Sequence, residues 1–268
     1  MKLIEMDLSN MSYKAIKEEF DMIKLDVNDD NILNLSEILL NDKRKNVQSL
    51  GSRIIKEKKK LEDEIIRVKT MYDFDRSFSN GRLLAGVDEV GRGPLAGPIV
   101  SASVILDLEC LDEGMILYLN DSKKLSEKKR EELSDIIKEK AISYCISECS
   151  NDEIDEKGIG FCNNEVFLKA IGGLKEVPSI VLSDGYKVRG IDIENKWVIK
   201  GDTKSAAIAA ASIIAKVYRD NLMKEIAKKY PEYGFESNVG YGAKKHIDAI
   251  KEHGATEIHR MSFLSNIL

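Results

Sequence analysis

Acidic residues stand in this sequence where strand chemistry least favours them. Asp88 and Glu89 end the apolar run Leu83-Leu-Ala-Gly-Val87, Asp184 follows Ile180-Val-Leu-Ser183 and precedes Gly185, and Asp202 closes Trp197-Val-Ile-Lys-Gly201. Carboxylates are disfavoured within strands, so something outside the strand must compensate each one. If the three runs are neighbouring strands, the acids converge, and their mutual repulsion calls for a divalent cation held by oxygen ligands, Mg2+ or Mn2+. Clustered acids without histidine or cysteine point to hard-metal phosphoryl chemistry. Three unrelated acids on an exposed rim are the alternative that this pattern alone leaves open.

The segment Gly86-Val-Asp-Glu-Val-Gly-Arg-Gly-Pro-Leu-Ala-Gly-Pro98 adds a second signal, because its glycines let backbone approach a ligand that a Cβ would obstruct. Gly91, Gly93 and Ala96 also satisfy the GxGxxA pattern of dinucleotide sites, which makes a Rossmann-type oxidoreductase the competing reading. That pattern must open a helix. Here Pro94 and Pro98 interrupt it, and residues 99–106 resume a β-branched apolar run. His246, His253 and His259 have no consistent ligand spacing and read as structural or phosphate-adjacent.

The elements that must position these groups follow from periodicity. Residues 83–90, 99–106 and 142–146 read as strands of an antiparallel meander. A helix over about 152–174, strands at 179–183 and 197–200, and a helix over about 205–229 then imply crossover units with parallel pairing. The expectation is one mixed sheet with helices on its faces, an α/β domain over residues 80–268 with a helical C-terminal region. Residues 1–79 contain no proline and one glycine, Gly51, and read as a helical appendage. Within it Val47, Leu50, Ile54, Leu61, Ile65, Val68 and Tyr72 mark one long amphipathic helix. Lys43, Arg44, Lys45, Arg53, Lys56, Lys58, Lys59 and Lys60 stand there against Glu57 alone. Such a stripe either holds phosphates or is a solvated face with i,i+4 pairs, the apolar positions packing elsewhere.

Composition bounds the rest. The 268 residues are 43% hydrophobic and 32% charged, which excludes wholesale disorder. A net charge of −5 means that any polyanion must be met by a local basic patch. Cys110, Cys145, Cys149 and Cys162 lack CxxC spacing and read as reduced thiols in a cytosol. There is no run of about 18 apolar residues and no signal-peptide pattern, so a cytoplasmic protein without a membrane is expected.

Taken in order, the motifs resemble those of bacterial ribonuclease HII. They are Gly86 to Pro98, Asn120-Asp-Ser-Lys-Lys-Leu-Ser126, Lys200-Gly-Asp202, Ala209-Ala-Ala-Ser-Ile-Ile-Ala-Lys-Val-Tyr-Arg-Asp220 and His253-Gly-Ala-Thr-Glu-Ile-His-Arg-Met-Ser-Phe263. The resemblance spans about residues 80–264 and implies an RNase H-like fold. It implies an endonuclease that hydrolyses the RNA strand of RNA–DNA hybrids and incises duplex DNA 5′ of a single embedded ribonucleotide, as in ribonucleotide excision repair. The family's metal acids match Asp88, Glu89, Asp184 and Asp202. A two-metal scheme giving 5′-phosphate and 3′-hydroxyl products is thereby implied. Gly91, Arg92 and Gly93 match the motif that approaches the 2′-hydroxyl and adjacent phosphate. Tyr241 matches a tyrosine packing on the next sugar, a deoxyribose at a junction. Ser122, Lys123, Lys124, Lys216 and Arg219 are candidate phosphate contacts. No small-molecule cofactor is implied.

The sequence departs from the pattern at Asp184-Gly-Tyr186, where the family usually has Asp-Gly-Asn, and at Ala243 and Lys245 after the Gly-Tyr motif. Ribonuclease HIII is the related alternative, disfavoured by Arg92 and the helical N-terminus. A nucleic-acid-binding module without catalysis is the alternative of another class.

Overall fold

The computed structural model describes residues 2–4, 6–23 and 29–268, and the chain divides into two compact units, Met1–Arg67 and Val68–Leu268. The expected helical content of residues 1–79 lies outside the described residues at 1, 5 and 24–28. The helices and strands in chain order are α1 (Tyr13–Asp21), α2 (Asp30–Leu40), α3 (Lys45–Ser79), β1 (Leu84–Val90), β2 (Ile99–Ile105), α4 (Glu127–Lys140), β3 (Ser143–Cys149), α5 (Asn151–Lys157), α6 (Ile159–Gly172), β4 (Ile180–Asp184), β5 (Glu194–Val198), α7 (Ala206–Lys229), α8 (Phe235–Asn238) and α9 (Lys244–His253).

In the first unit Ser12 and Asp29 cap α1 and α2 by accepting the backbone N–H groups of Ala15 and Asn31. Ile16, Ile32, Leu35, Leu39, Val47 and Ile54 form its core. The basic stripe is less uniform than its sequence. Arg44 is engaged by Asp42 and by the Leu8 and Met11 carbonyls, Lys58 and Lys60 reach Glu62 and Glu57, and Arg53 lies 5.6 Å over the Phe20 ring. Lys43, Lys45, Lys56 and Lys59 stay exposed.

The second unit holds the expected mixed sheet, in the order β3-β2-β1-β4-β5. β1–β2 and β2–β3 are antiparallel, while β1–β4 and β4–β5 are parallel. Ala85, Val87, Ile99 and Val181 pack with Val166 and Phe167 of α6. Alternation along β1 turns Gly86 and Asp88 the other way, towards α7. Ala206, Ala207 and Ala209 to Ala211, with Ile208, are all buried, and α7 presses hard on β1: a Cβ on Gly86 would lie 2.2 Å from the Ala207 carbonyl carbon. A third cluster, including Met223, Tyr233, Phe235, Ile250 and Leu264, packs the helical C-terminal region.

Two expectations need correction. The helix expected over 152–174 is two helices, broken at Gly158, whose φ of +82° favours glycine. The last strand is Glu194–Val198 rather than 197–200. It is an edge strand whose pairing is made by backbone, and Ile199 (68% exposed) and Lys200 (φ +55°) already form the exit from it. In keeping with a helical region to residue 79, α3 continues to Ser79, and its last turns group by contact with the second unit. There the Tyr72 hydroxyl accepts from the Ile116 N–H at 3.2 Å, Arg76 donates to the Leu108 carbonyl at 2.6 Å, and Lys69 pairs with Asp112 at 2.9 Å.

Candidate active site

The strand register brings the first three acids together. Val87 lies opposite Ser183, so Asp88 and Asp184 follow at neighbouring ends of the parallel strands β1 and β4. Asp202 does not end a strand, contrary to the sequence expectation. It sits in the 3-10 turn Gly201–Thr203, tied to β4 by the Gly201 N–H donating to Asp184 Oδ1 at 2.6 Å. A Cβ there would come within 2.6 Å of Ile208 Cδ1 and 3.3 Å of Asp184 Oδ1, so a side chain at this position would have to displace Ile208.

Electrostatics bind the four acids into one group. Burial, then the Glu89 and Asp184 charges, hold Asp88 well above the usual carboxylate range, against a hydrogen bond from Ser212. Burial and then Asp184 push Glu89 up to about 7, with Arg92 and Lys123 opposing. Asp184 is raised by burial, against the Gly201 N–H and Lys123. Asp202 is raised by burial, then by Asp184 and Asp121, against Lys123 and Lys124. Among the described residues these carboxylates do not close around a common point as a finished metal cage. Asp88 Oδ1 accepts the Glu89 N–H at 2.7 Å and Asp184 Oδ1 accepts that of Gly201. A half-buried, all-oxygen donor set with uncompensated negative charge fits Mg2+ or Mn2+, whose own charge would reverse these shifts.

Two members of this site escaped the sequence reading. Ser212 of α7 hydrogen-bonds Asp88 from below, and its Oγ lies 3.1 Å from that of Ser122. A lone hydroxyl inside Ala209-Ala-Ala-Ser-Ile-Ile-Ala215 was the available signal, since a buried hydroxyl needs a partner. Asp121, whose charge raises Asp184 and Asp202, is the other. Ser122 itself is corrected: 4% exposed and paired with Ser212, it supports Asp88 rather than facing a phosphate. Lys123 and Lys124 are exposed beside the acids.

The Gly-Arg-Gly loop is clasped from inside by two buried arginines. Arg260 donates to the carbonyls of Gly91 (2.6 Å), Gly97 (2.9 Å) and Arg92 (3.0 Å). Arg219 donates to those of Pro98 (2.9 Å), Val239 (2.9 Å) and Ala96 (3.2 Å). Arg219 is therefore not a phosphate contact: it is wholly buried and its donors are engaged by carbonyls. Lys216 does not join the site either, being paired with Asp220 at 2.6 Å. Gly91, at φ +90°, has Arg219 Nε only 2.3 Å from where its Cβ would be. Gly93 is open on the side where Tyr241 stands, its virtual Cβ 4.0 Å from Tyr241 Cε1. Tyr241 is 41% exposed, and its turn is held to the loop by the Leu95 N–H donating to the Gly240 carbonyl at 2.8 Å. His246 and His259 form a buried pair, with Nε2 atoms 3.0 Å apart, and His246 Nδ1 lies 2.8 Å from the Tyr241 carbonyl. They are structural; His253 is partly exposed. No helix opens after Gly93, which removes the Rossmann reading.

The family model for ribonuclease HII matches residues 85–266, and that for the ribonuclease HII N-terminal domain matches residues 12–79. The chain belongs to the ribonuclease HII family. It is 64% identical to ribonuclease HII of Clostridium perfringens (strain SM101 / Type A) over 98% of this chain and 96% of that one. It is 60% identical to ribonuclease HII of Clostridium beijerinckii, covering 98% of both. The crystal structure of ribonuclease H2 from Pyrococcus horikoshii OT3 superposes with a TM-score of 0.58 at 26% identity, covering 69% of this chain and 96% of that one. Membership makes the chain a hydrolase, a metal-dependent ribonuclease H acting on RNA in hybrids, and excludes the non-catalytic alternative. Among the described residues no helix is long and apolar enough to cross a membrane, and the four cysteines are free thiols.

Proposed function

We propose that this chain cuts the RNA strand of RNA–DNA hybrids and incises duplex DNA 5′ of a single embedded ribonucleotide, leaving 5′-phosphate and 3′-hydroxyl ends. The observation that carries the reading is the meeting of two features: four mutually repelling carboxylates at the ends of β1 and β4 and after β5, and a Gly-Arg-Gly loop packed beside Tyr241. Asp88, Glu89, Asp184 and Asp202 would hold two divalent cations, which supply charge stabilisation for an in-line displacement at phosphorus. Ser212 and the Glu89 N–H orient Asp88, and the Gly201 N–H orients Asp184. Gly93 leaves room for a ribose edge and its 2′-hydroxyl, Arg92 faces the adjacent phosphate, and the Tyr241 ring packs on the following sugar, where a second 2′-hydroxyl would crowd it. Lys123 and Lys124 contribute phosphate contacts beside the acids. The test is cleavage of an end-labelled duplex carrying one ribonucleotide, with Mg2+ or Mn2+ supplied. Metal-dependent incision on the 5′ side supports the proposal; an intact duplex, or cutting on the 3′ side, refutes it.

A further inference from the structure

Two histidines that the proposed cleavage does not use lie under the Tyr241 turn. His246 of α9 and His259, beyond the end of that helix, are 0% and 1% exposed, and their Nε2 atoms are 3.0 Å apart. The partners of their other nitrogens decide where each proton sits. A backbone N–H can only donate, so the Thr256 N–H, 2.9 Å from His259 Nδ1, makes that nitrogen an acceptor and leaves the His259 proton on Nε2. Thr256 Oγ1, 2.8 Å from the same nitrogen, can donate to it as well. A carbonyl can only accept, so His246 Nδ1, 2.8 Å from the Tyr241 oxygen, carries the His246 proton. The two assignments agree where the rings meet: His259 Nε2–H donates to a bare His246 Nε2. Both rings are neutral, and burial favours that form by holding both below the usual imidazole range. One directed chain of hydrogen bonds thus runs from Thr256 through His259 and His246 to the Tyr241 carbonyl. Phe235 packs on His246 and Tyr233 on His259, with ring centroids 5.0 and 5.2 Å apart.

The residue after His259 joins this chain to the Gly-Arg-Gly loop. The Arg260 guanidinium grips the carbonyls of Gly91, Arg92 and Gly97, its N–H donates to the Leu95 carbonyl at 2.8 Å, and the Gly97 N–H donates to the Ile258 carbonyl at 2.9 Å. Residues 256–260 therefore hold the loop through one side chain and the Tyr241 turn through its neighbour. The other bonds of the Tyr241 peptide are local to the turn: its carbonyl accepts the Ala243 N–H at 2.8 Å, and its N–H donates to the Asn238 carbonyl at 2.9 Å.

We infer that His246 and His259 are positioning residues for junction selectivity: with Arg260 they set the gap between Gly93 and the Tyr241 ring, and so the preference for a deoxyribose after the ribonucleotide. The inference rests on the proposed role of Tyr241 against that sugar. With the virtual Cβ of Gly93 4.0 Å from Tyr241 Cε1, a turn that drifts from the loop gives a second 2′-hydroxyl the room it otherwise lacks.

The first test is a long-range 1H–15N correlation of the wild-type imidazoles at neutral pH. His246 should be protonated on Nδ1 and His259 on Nε2; a His246 proton on Nε2, or exchange between tautomers in either ring, overturns the chain. The second test is the ratio of kcat/KM on a duplex carrying one ribonucleotide to that on a long RNA–DNA hybrid. His246→Asn keeps an amide N–H where Nδ1 stood, whereas His246→Phe fills the ring's place without a donor. The Phe variant should lower the ratio about fivefold, the worth of one net hydrogen bond, and the Asn variant should stay within about twofold of wild type. Lost stability or a smaller active fraction scales both substrates alike and leaves the ratio unmoved. A ratio unchanged in the Phe variant, or lowered equally in both variants, therefore overturns the inference. Tyr241→Ala is measured alongside. If it leaves the ratio at the wild-type value, the sugar contact itself is refuted; if it moves the ratio and His246→Phe does not, the inference alone fails.

Discussion

Replacing Asp75 by Asn should remove a defined part of the pH dependence of stability. Asp75 lies near the end of α3, wholly buried, with Oδ2 accepting the Ala207 N–H at 2.9 Å and Oδ1 lacking a hydrogen-bond partner among the described residues. Burial pushes its carboxyl up to about 7, against Ser205 and the amides of Ala207 and Ala206. The folded chain thus holds a proton that the unfolded chain, near the ordinary aspartate value of 3.8, releases. The stabilisation is complete below the unfolded value and is lost as pH rises through the folded one. Between about pH 5 and about pH 8 the linkage integral for this group is a loss of about 2.5 kcal/mol. Asparagine keeps the acceptor for Ala207 and cannot ionise. Urea unfolding of wild type and Asp75→Asn across that range, in one buffer series, cancels every other titrating group that the substitution leaves undisturbed. The stability of wild type relative to the variant should fall by about 2.5 kcal/mol as pH rises. A difference constant to within about 0.5 kcal/mol would refute the reasoning, because it would mean that Asp75 does not change protonation in the folded state.

Asp88→Asn or Asp184→Asn should abolish most metal-dependent cleavage while duplex binding persists, and the metal-free variants should melt no lower than wild type because carboxylate repulsion is relieved; near-normal turnover in either would sink the metal assignment. Tyr241→Ala should impair incision at a single ribonucleotide more than cleavage within a long hybrid, and equal losses on both substrates count against sugar sensing. Burial, then His246, holds His259 down to about 4. The folded chain therefore binds fewer protons than the unfolded one, and stability should fall by about 3 kcal/mol as pH drops from about 7 to about 4; His259→Gln should flatten that limb in denaturant titrations. Deleting residues 1–67 should weaken duplex binding and make its salt slope shallower without moving the cleavage position, through loss of Lys43, Lys45, Lys56 and Lys59; unchanged affinity at several salt concentrations would instead assign α3 a packing role.

The neighbouring placement of Asp88 and Asp184 was legible because these acids break a local rule. An Asp-Glu pair or a lone Asp ending an apolar strand needs an outside reason, and the parallel register of β1 with β4 supplies the convergence. Asp202, singled out by the same logic, lies in a turn tied to Asp184 although its strand was misplaced. β5 is an edge strand with exposed Glu194 and Trp197, so its pairing leaves little apolar trace. The misread residues share a different cause. A charged residue on a helix is by default solvated or free to meet a ligand. Arg219 is instead buried where a Gly/Pro-rich loop turns its carbonyls inward, and nothing in helical periodicity reports which carbonyls lack partners. Ser122 and Ser212 likewise reveal their role only when two distant segments meet over Asp88.

The division of the chain shows why a family boundary and a folding boundary need not coincide. The N-terminal family model ends at residue 79, yet the compact units separate between Arg67 and Val68. The turns from Val68 to Ser79 group by sequence with the N-terminal region and by contact with the second unit. Tyr72 and Arg76 hold the backbone at Ile116 and Leu108, and Asp75 receives the first-turn N–H of Ala207. That same α7 presses its alanines onto Gly86 and presents Ser212 to Asp88, so the end of α3 acts on the site through the helix that lies under it. A cut at the family boundary would leave the α7 N-terminus without its buried acceptor and remove the Tyr72 and Arg76 contacts. A cut after Arg67 leaves both intact, and any binding change it produces belongs to the first unit alone.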